Sequence, residues 1–331
     1  MYELLGISLG LATLLTINAV ASLAAAALWR LIEKPMRRRS ARTRAEVLFA
    51  MRVGPPVVAM ISVAAFLIPS YLAYEPSATN EFVSKKLGAL AILSAMGVAL
   101  AMSRGLRSWF ATRSLLGKWL AEAKPIHVAG IDVPTFRIRH SFPIIAVVGL
   151  FRPRLFIAER VIESLSQEEL TAAIAHECGH LAAHDNLRRT LIRACRDMLA
   201  IVPCGRSIDR AWSENAEAAA DEHAADRGSA VALNLASALI EIARMVPAGA
   251  RPSMPAGAFI LGDETNGVMG RVNRLVALAN VGQPQTKPNL ISWAERIGLV
   301  LLLAGLTLTL ASTHALASLH VVMERVVQAL T

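Results

Sequence analysis

Four stretches of the chain are apolar long enough to divide it. Leu4 to Leu31 has the length needed to cross a hydrocarbon layer of about 30 Å. Val53 to Tyr74 is a second such run, with Pro55 and Pro56 at its start and Pro69 near its end. Prolines near the ends of a span are tolerated and read as kinks. Leu87 to Met102 is a third, shorter run, closed by Arg104 and Arg107, and Ile297 to Leu319 is a fourth. The pattern therefore predicts transmembrane helices at about 4–31, 53–74, 87–103 and 297–319. Residues 1–107 form a three-helix membrane unit with a basic loop at 32–47, residues 108–292 a globular domain, and residues 293–331 the last helix and a short tail. No basic residue precedes the first run and its apolar core is long, so it reads as an uncleaved span rather than a signal peptide.

Inside 108–292 the periodicity changes. Ser108 to Ala123 reads as a helix. Short β-rich pieces follow at Thr135 to Ile138, Ile144 to Val148 and Leu155 to Ala158, separated by Pro143 and by the run Gly149 to Pro153. Ser166 with Glu169 three residues later makes a capping box, and the helix it starts runs through His180 to about Asp185. Asn186 to Arg210 is helical and basic, and its apolar piece Met198 to Cys204 is too short to span a membrane. Trp212 to Val246 is an Ala-rich helical region with a break at Gly228. Pro247 to Gly267 reads as a loop, Val268 to Leu278 as a short basic helix and Val281 to Asn289 as a linker. The expected class is a mainly α membrane protein whose globular part is α+β with a small β-sheet.

Composition supports the membrane reading: 54% of the 331 residues are apolar and the mean hydropathy is +0.47. The net charge of +9 would suit a nucleic-acid binder. However, much of it sits at Arg30, Lys34, Arg37, Arg38, Arg39, Arg42 and Arg44, between two apolar runs, where it reads as a cytoplasmic anchor. No helix-turn-helix, finger or aromatic-studded basic groove accompanies it, so no nucleic-acid partner is expected. By the positive-inside rule both termini lie outside and the globular domain is cytoplasmic. Cys178, Cys195 and Cys204 make no C-x-x-C pair and no disulfide framework.

The chemistry is concentrated in His176-Glu177-Cys178-Gly179-His180. Residues four apart on a helix lie one above the other, so His176 and His180 can offer two imidazoles to one Zn2+ ion. Glu177 is placed to act on water as the catalytic base. A catalytic zinc needs a third protein ligand, and Glu214, Glu217, Asp221, Glu222 and Asp226 are the acids downstream. Glu217 is the expected third ligand, because Asp221 one turn later can accept a hydrogen bond from the far ring nitrogen of a ligand histidine. Glu222 is the rival, since Glu222-His223-Ala224-Ala225-Asp226 repeats the spacing. Asp185 either orients a ligand histidine or caps the helix end. His184, His223, Arg271 and Arg274 are candidates for stabilising an oxyanion, and the sequence does not rank them.

With Asp185, Ala220 and Asp221, these residues resemble the integral-membrane gluzincins. Two branches are similar: the BlaR/MecR-type regulatory metallopeptidases, and the HtpX and CAAX-processing proteases. Val148-Gly149-Leu150-Phe151-Arg152-Pro153-Arg154 and Leu235-Ala236-Ser237-Ala238-Leu239 add to the likeness, which covers about Phe142 to Leu278. HtpX-type proteins resemble a pattern with spans between the zinc helix and the third ligand, and His180 to Glu217 contains none. Three spans, a cytoplasmic zincin-like (gluzincin) domain and one further span look like the BlaR/MecR layout. The resemblance implies a zinc endopeptidase of a bacterial inner or plasma membrane that cuts a cytoplasmic repressor, or itself, after an outside signal. Its implied partners are a protein or peptide substrate, the bilayer, a repressor or sensory protein, and a second copy of the chain. The BlaR/MecR sensors carry a penicillin-binding domain after the last span and this chain ends at Thr331, so sensing of a β-lactam through such a domain is not expected. An HtpX-like quality-control protease and a catalytically silent membrane adaptor are the other readings. The complete H-E-x-x-H speaks against the adaptor.

Overall fold

The computed structural model describes residues 2–76, 83–128, 133–199, 205–246 and 268–281, with residues 321 and 325 besides. The expected fourth span, the loop at 247–267, residues 282–289 of the expected linker and Cys204 lie outside the described residues.

Three long helical rods form the membrane part. Helix α1 is Tyr2–Met36. The second rod joins α2 (Ala41–Ile61), a π-helical turn (Ser62–Leu67) and α3 (Ile68–Tyr74), and α4 is Lys85–Glu122. All three rods are long and apolar enough to cross a membrane. Their extents differ from the hydropathy reading, because hydropathy marks the part in lipid and not the helix. The basic loop expected at 32–47 shrinks to a turn. Arg30 and Lys34 ride on α1, while Arg42 and Arg44 lie in the first turn of α2. Ser40 sets the start of α2, its side chain accepting from the Thr43 N–H at 3.3 Å. Likewise the third run and the helix expected from Ser108 are one rod, started by Ser84 as N-cap, and the 107/108 boundary falls inside it.

A four-stranded mixed sheet follows, with β1 (Lys124–Ile126), β2 (Thr135–Ile138), β3 (Ile145–Val148) and β4 (Arg154–Ala158) in the order β1-β2-β4-β3. β2 runs parallel to β4, and the other two pairings are antiparallel. The last three strands are those expected from the sequence. β1 was not, since Lys-Pro-Ile carries no alternation to detect. Helix α5 (Glu159–Ser164) leads into α6 (Gln167–Ala183), then α7 (Asp185–Met198), α8 (Arg206–Ala225), α9 (Ser229–Met245) and α10 (Val268–Val281).

One core joins the sheet to α6 and α9, with Phe156, Ile145, Ala173, Leu235 and Leu275 fully buried. A second joins the membrane rods to α7 and α8 through Trp29, Leu48, Ile192, Ile208, Trp212 and Ala216. Two ion pairs reinforce that junction: Arg52 Nε to Asp209 Oδ1 at 2.8 Å and Arg104 Nη1 to Asp197 Oδ1 at 2.7 Å. Arg52 is almost wholly buried, and such a charge is tolerated only when paired.

Candidate active site

Helix α6 carries the first part of the site. Its capping box is complete: the Glu169 N–H donates to Ser166 Oγ at 3.2 Å, and the Ser166 N–H donates to Glu169 Oε2 at 2.9 Å. With the start fixed, His176, Glu177 and His180 point to the interior and are buried. The helix stops at Ala183, two residues short of the expected end. His184 adopts a left-handed conformation (φ 55°, ψ 40°) and is the one described non-glycine residue with positive φ. That reversal begins α7 at Asp185 and returns the Asp185 carboxylate to the helix it follows, with Oδ2 2.7 Å from His180 Nδ1.

Helix α8 supplies the acids. It crosses α6 at Gly179, where an added Cβ would lie 2.9 Å from Ala220 Cα, so the absent side chain is what lets the two helices approach. Glu217 and Asp221, one turn apart, both face the histidines. Asp221 Oδ1 is 2.9 Å from His176 Nδ1. Glu217 Oε2 is 3.7 Å from His176 Nε2, and its Oε1 is 3.7 Å from His180 Nε2. The two histidine Nε2 atoms are 3.2 Å apart.

These distances suit one small ion. Ligand atoms of His176, His180 and Glu217 all lie within 4.8 Å of one another. A tetrahedral zinc about 2.0–2.1 Å from each ligand separates them by roughly 3.4 Å. The donor set agrees as well, because each imidazole has its Nδ1 engaged by a carboxylate, which leaves Nε2 as the ligating atom. The residues present therefore fit a zinc ion.

The electrostatics follow from burial. Burial, together with the Arg271 guanidinium opposite, lowers the His176 pKa to about 3, so the ring is neutral and keeps a lone pair. For His180 burial opposes protonation, but the Asp185 hydrogen bond and the Glu217 charge outweigh it and raise the pKa. Asp221 is depressed despite its burial, because the Arg271 charge and the His176 contact favour its carboxylate. Burial pushes Glu177 up to about 8, although the Val147 backbone N–H lies close enough to pull it down; neither carboxylate oxygen makes a hydrogen bond of full geometry among the described residues. A fully buried glutamate so weakly partnered needs an explanation other than structure.

Helix α10 contributes a contact that sequence reasoning did not foresee. Arg271 bridges the two acids of α8, with Nη1 3.1 Å from Glu217 Oε2 and Nη2 2.7 Å from Asp221 Oδ1. Arg274 also binds Asp221, through Oδ2. Both arginines had been candidates for an oxyanion. The sequence shows α10 to be basic, but nothing in it says which carboxylates it meets, 50 residues or more away.

The remaining candidates lie elsewhere. Both oxygens of Glu222 accept the Ala41 N–H at 3.0 Å, so the rival ligand instead caps α2. Glu214 is exposed, Asp226 ends α8, His223 packs beside Gly179, and His184 forms the turn between α6 and α7.

β3 is an outer strand of the sheet, packed beside α6, and Asn186 Nδ2 donates to two carbonyls at its end, Val147 O at 3.0 Å and Gly149 O at 3.2 Å.

Residues 146–246 match the family model of Peptidase family M48. The matched interval runs from β3 to the end of α9, and it contains His176, Glu177, His180, Glu217 and Asp221. No match is found among curated proteins.

Proposed function

We propose that the chain is a membrane-embedded zinc endopeptidase, with His176, His180 and Glu217 as metal ligands and Glu177 as the catalytic base. The observation that carries this reading is the convergence of the three candidate ligand atoms of His176, His180 and Glu217 beside the fully buried Glu177 carboxylate. The match to Peptidase family M48 across the same residues supports it.

When bound, a zinc ion would supply Lewis acidity, lowering the pKa of water toward about 7 and polarising the scissile carbonyl. The residues of the chain do the rest. Glu177 takes a proton from the attacking water at a carboxylate oxygen and returns it to the departing amide nitrogen. Asp221 and Asp185 fix the orientation and tautomer of the two histidines from the Nδ1 side.

The basic turn between α1 and α2 supports a cytoplasmic position for the site. Helix α7, between the α6 histidines and the α8 acids, is 14 residues long and carries four arginines, which supports a zinc domain uninterrupted by a membrane span. On that layout the substrate is a cytoplasmic protein, a repressor or the chain itself, cut after a signal received outside.

The test compares cells carrying the wild-type protein with cells carrying Glu177→Ala, by proteomics of accumulated cleavage products. The variant should keep its zinc and lose one or a few defined products. A broad set of membrane-protein fragments lost instead would point to quality control, and identical products from both proteins would overturn the peptidase reading.

A further inference from the structure

Where the apolar part of α1 gives way to charge, α1, the start of α2, α8 and α10 enclose a cleft of about 760 Å³. Six arginines line it: Arg30, Arg37, Arg44, Arg206, Arg210 and Arg274. Only two acids, Glu33 and Glu214, line it with them. Glu33 is already paired with Arg37 at 3.0 Å, and Arg274 binds Asp221. Arg30, Arg206 and Arg210 have no ion-pair partner among the described residues, while Arg44 and Arg274 both act on the half-buried Glu222 carboxylate.

A solvated charged face would spread such residues apart, because like charges repel. Here arginines from four helices line one concavity.

We propose that this cleft is a binding site for a phosphate-bearing anion. Planar guanidinium forks match phosphate oxygens two at a time, which a cluster of lysines would not do. The volume suits a phospholipid headgroup or a small di- or triphosphate. The site also borders the bilayer, for Trp29 on the last apolar turns of α1 is one of its walls, and basic pockets at that level are where anionic headgroups sit. Arg274 belongs both to the cleft and to the carboxylate that holds His176, so the anion site and the metal centre share one guanidinium.

The test uses the full chain purified in a nonionic detergent. Native mass spectrometry counts the phosphatidylglycerol and phosphatidylcholine molecules retained by wild type and by an Arg206→Gln/Arg210→Gln variant, and calorimetry measures binding of inorganic pyrophosphate to both. Retention of phosphatidylglycerol over phosphatidylcholine, weakened about ten-fold or more in the variant, supports the site with a headgroup as occupant. Pyrophosphate binding weakened in the variant, with lipid retention unchanged, supports it with a soluble occupant. Equal lipid retention and equal pyrophosphate binding in the two proteins would overturn it, as would the absence of both from wild type. Should the double variant lose its helical signal, Arg30→Gln alone serves the same comparison. None of these measurements depends on proteolysis.

Discussion

Asp221 Oδ1 stands 2.9 Å from His176 Nδ1, with both side chains fully buried, and the contact joins α8 to α6 on the Nδ1 side of the ring, away from the Nε2 that faces His180. Two arginines of α10 bind the same carboxylate, so its position is fixed from two directions. Removing such a partner typically lowers metal affinity 10–100-fold. Asp221→Asn should therefore weaken zinc binding by about that factor, read by competition with a chelator. Wild-type affinity in the variant would mean that His176 does not need the contact.

The two glutamates of α8 should separate cleanly. Glu217→Ala removes a ligand and should bring zinc content below one ion per chain. Glu222→Ala should leave zinc content unchanged while removing the acceptor of the Ala41 N–H, at a cost of about 1 kcal/mol, as for other helix caps. Metal analysis and thermal unfolding of both variants check the pair of statements, and loss of zinc from Glu222→Ala alone would reverse the assignment.

Gly179→Ala tests the helix crossing. The new methyl would meet Ala220 Cα at 2.9 Å and the Cβ atoms of Ala220 and His223 at 3.2 Å, so α8 must move away or α6 must bend. Overpacking of this kind costs about 1–3 kcal/mol. Because the same displacement pulls Glu217 from the histidines, zinc affinity should fall together with the melting temperature. An unchanged affinity would show that the crossing has slack.

Arg52→Ala leaves the Asp209 carboxylate without its partner at the membrane junction. Breaking a buried pair from one side costs about 3–5 kcal/mol. Arg52→Met/Asp209→Asn, which leaves no buried charge behind, should recover most of that loss in thermal unfolding. A double variant as unstable as the single one would locate the cost in packing rather than in charge.

The local features of the site were readable from sequence because they are periodic or capped. Ser166 and Glu169 marked the start of α6, and the four-residue step placed His176 and His180 together. The 3.6-residue step put Glu217 and Asp221 on one face, where the structure shows both meeting the histidines. What escaped depends on contacts distant in sequence. Glu217 and Glu222 are both acids on α8, and only the approach of Ala41 shows that Glu222 faces the membrane rods. The bridge from Arg271 and the left-handed turn at His184 are likewise set by packing. Each of the first three apolar runs falls within a helix long and apolar enough to cross a membrane, and the helices reach beyond the runs, since arginine and lysine continue a helix as readily as leucine does.

The core shared by the membrane rods and α8 has one more consequence. Ala216, the residue immediately before Glu217, is buried in that core with Trp29 of α1 and Leu48 of α2. The helix that carries Glu217 and the rods α1 and α2 are thus held by one set of packed side chains, so a shift of α2 would be felt at the backbone next to Glu217.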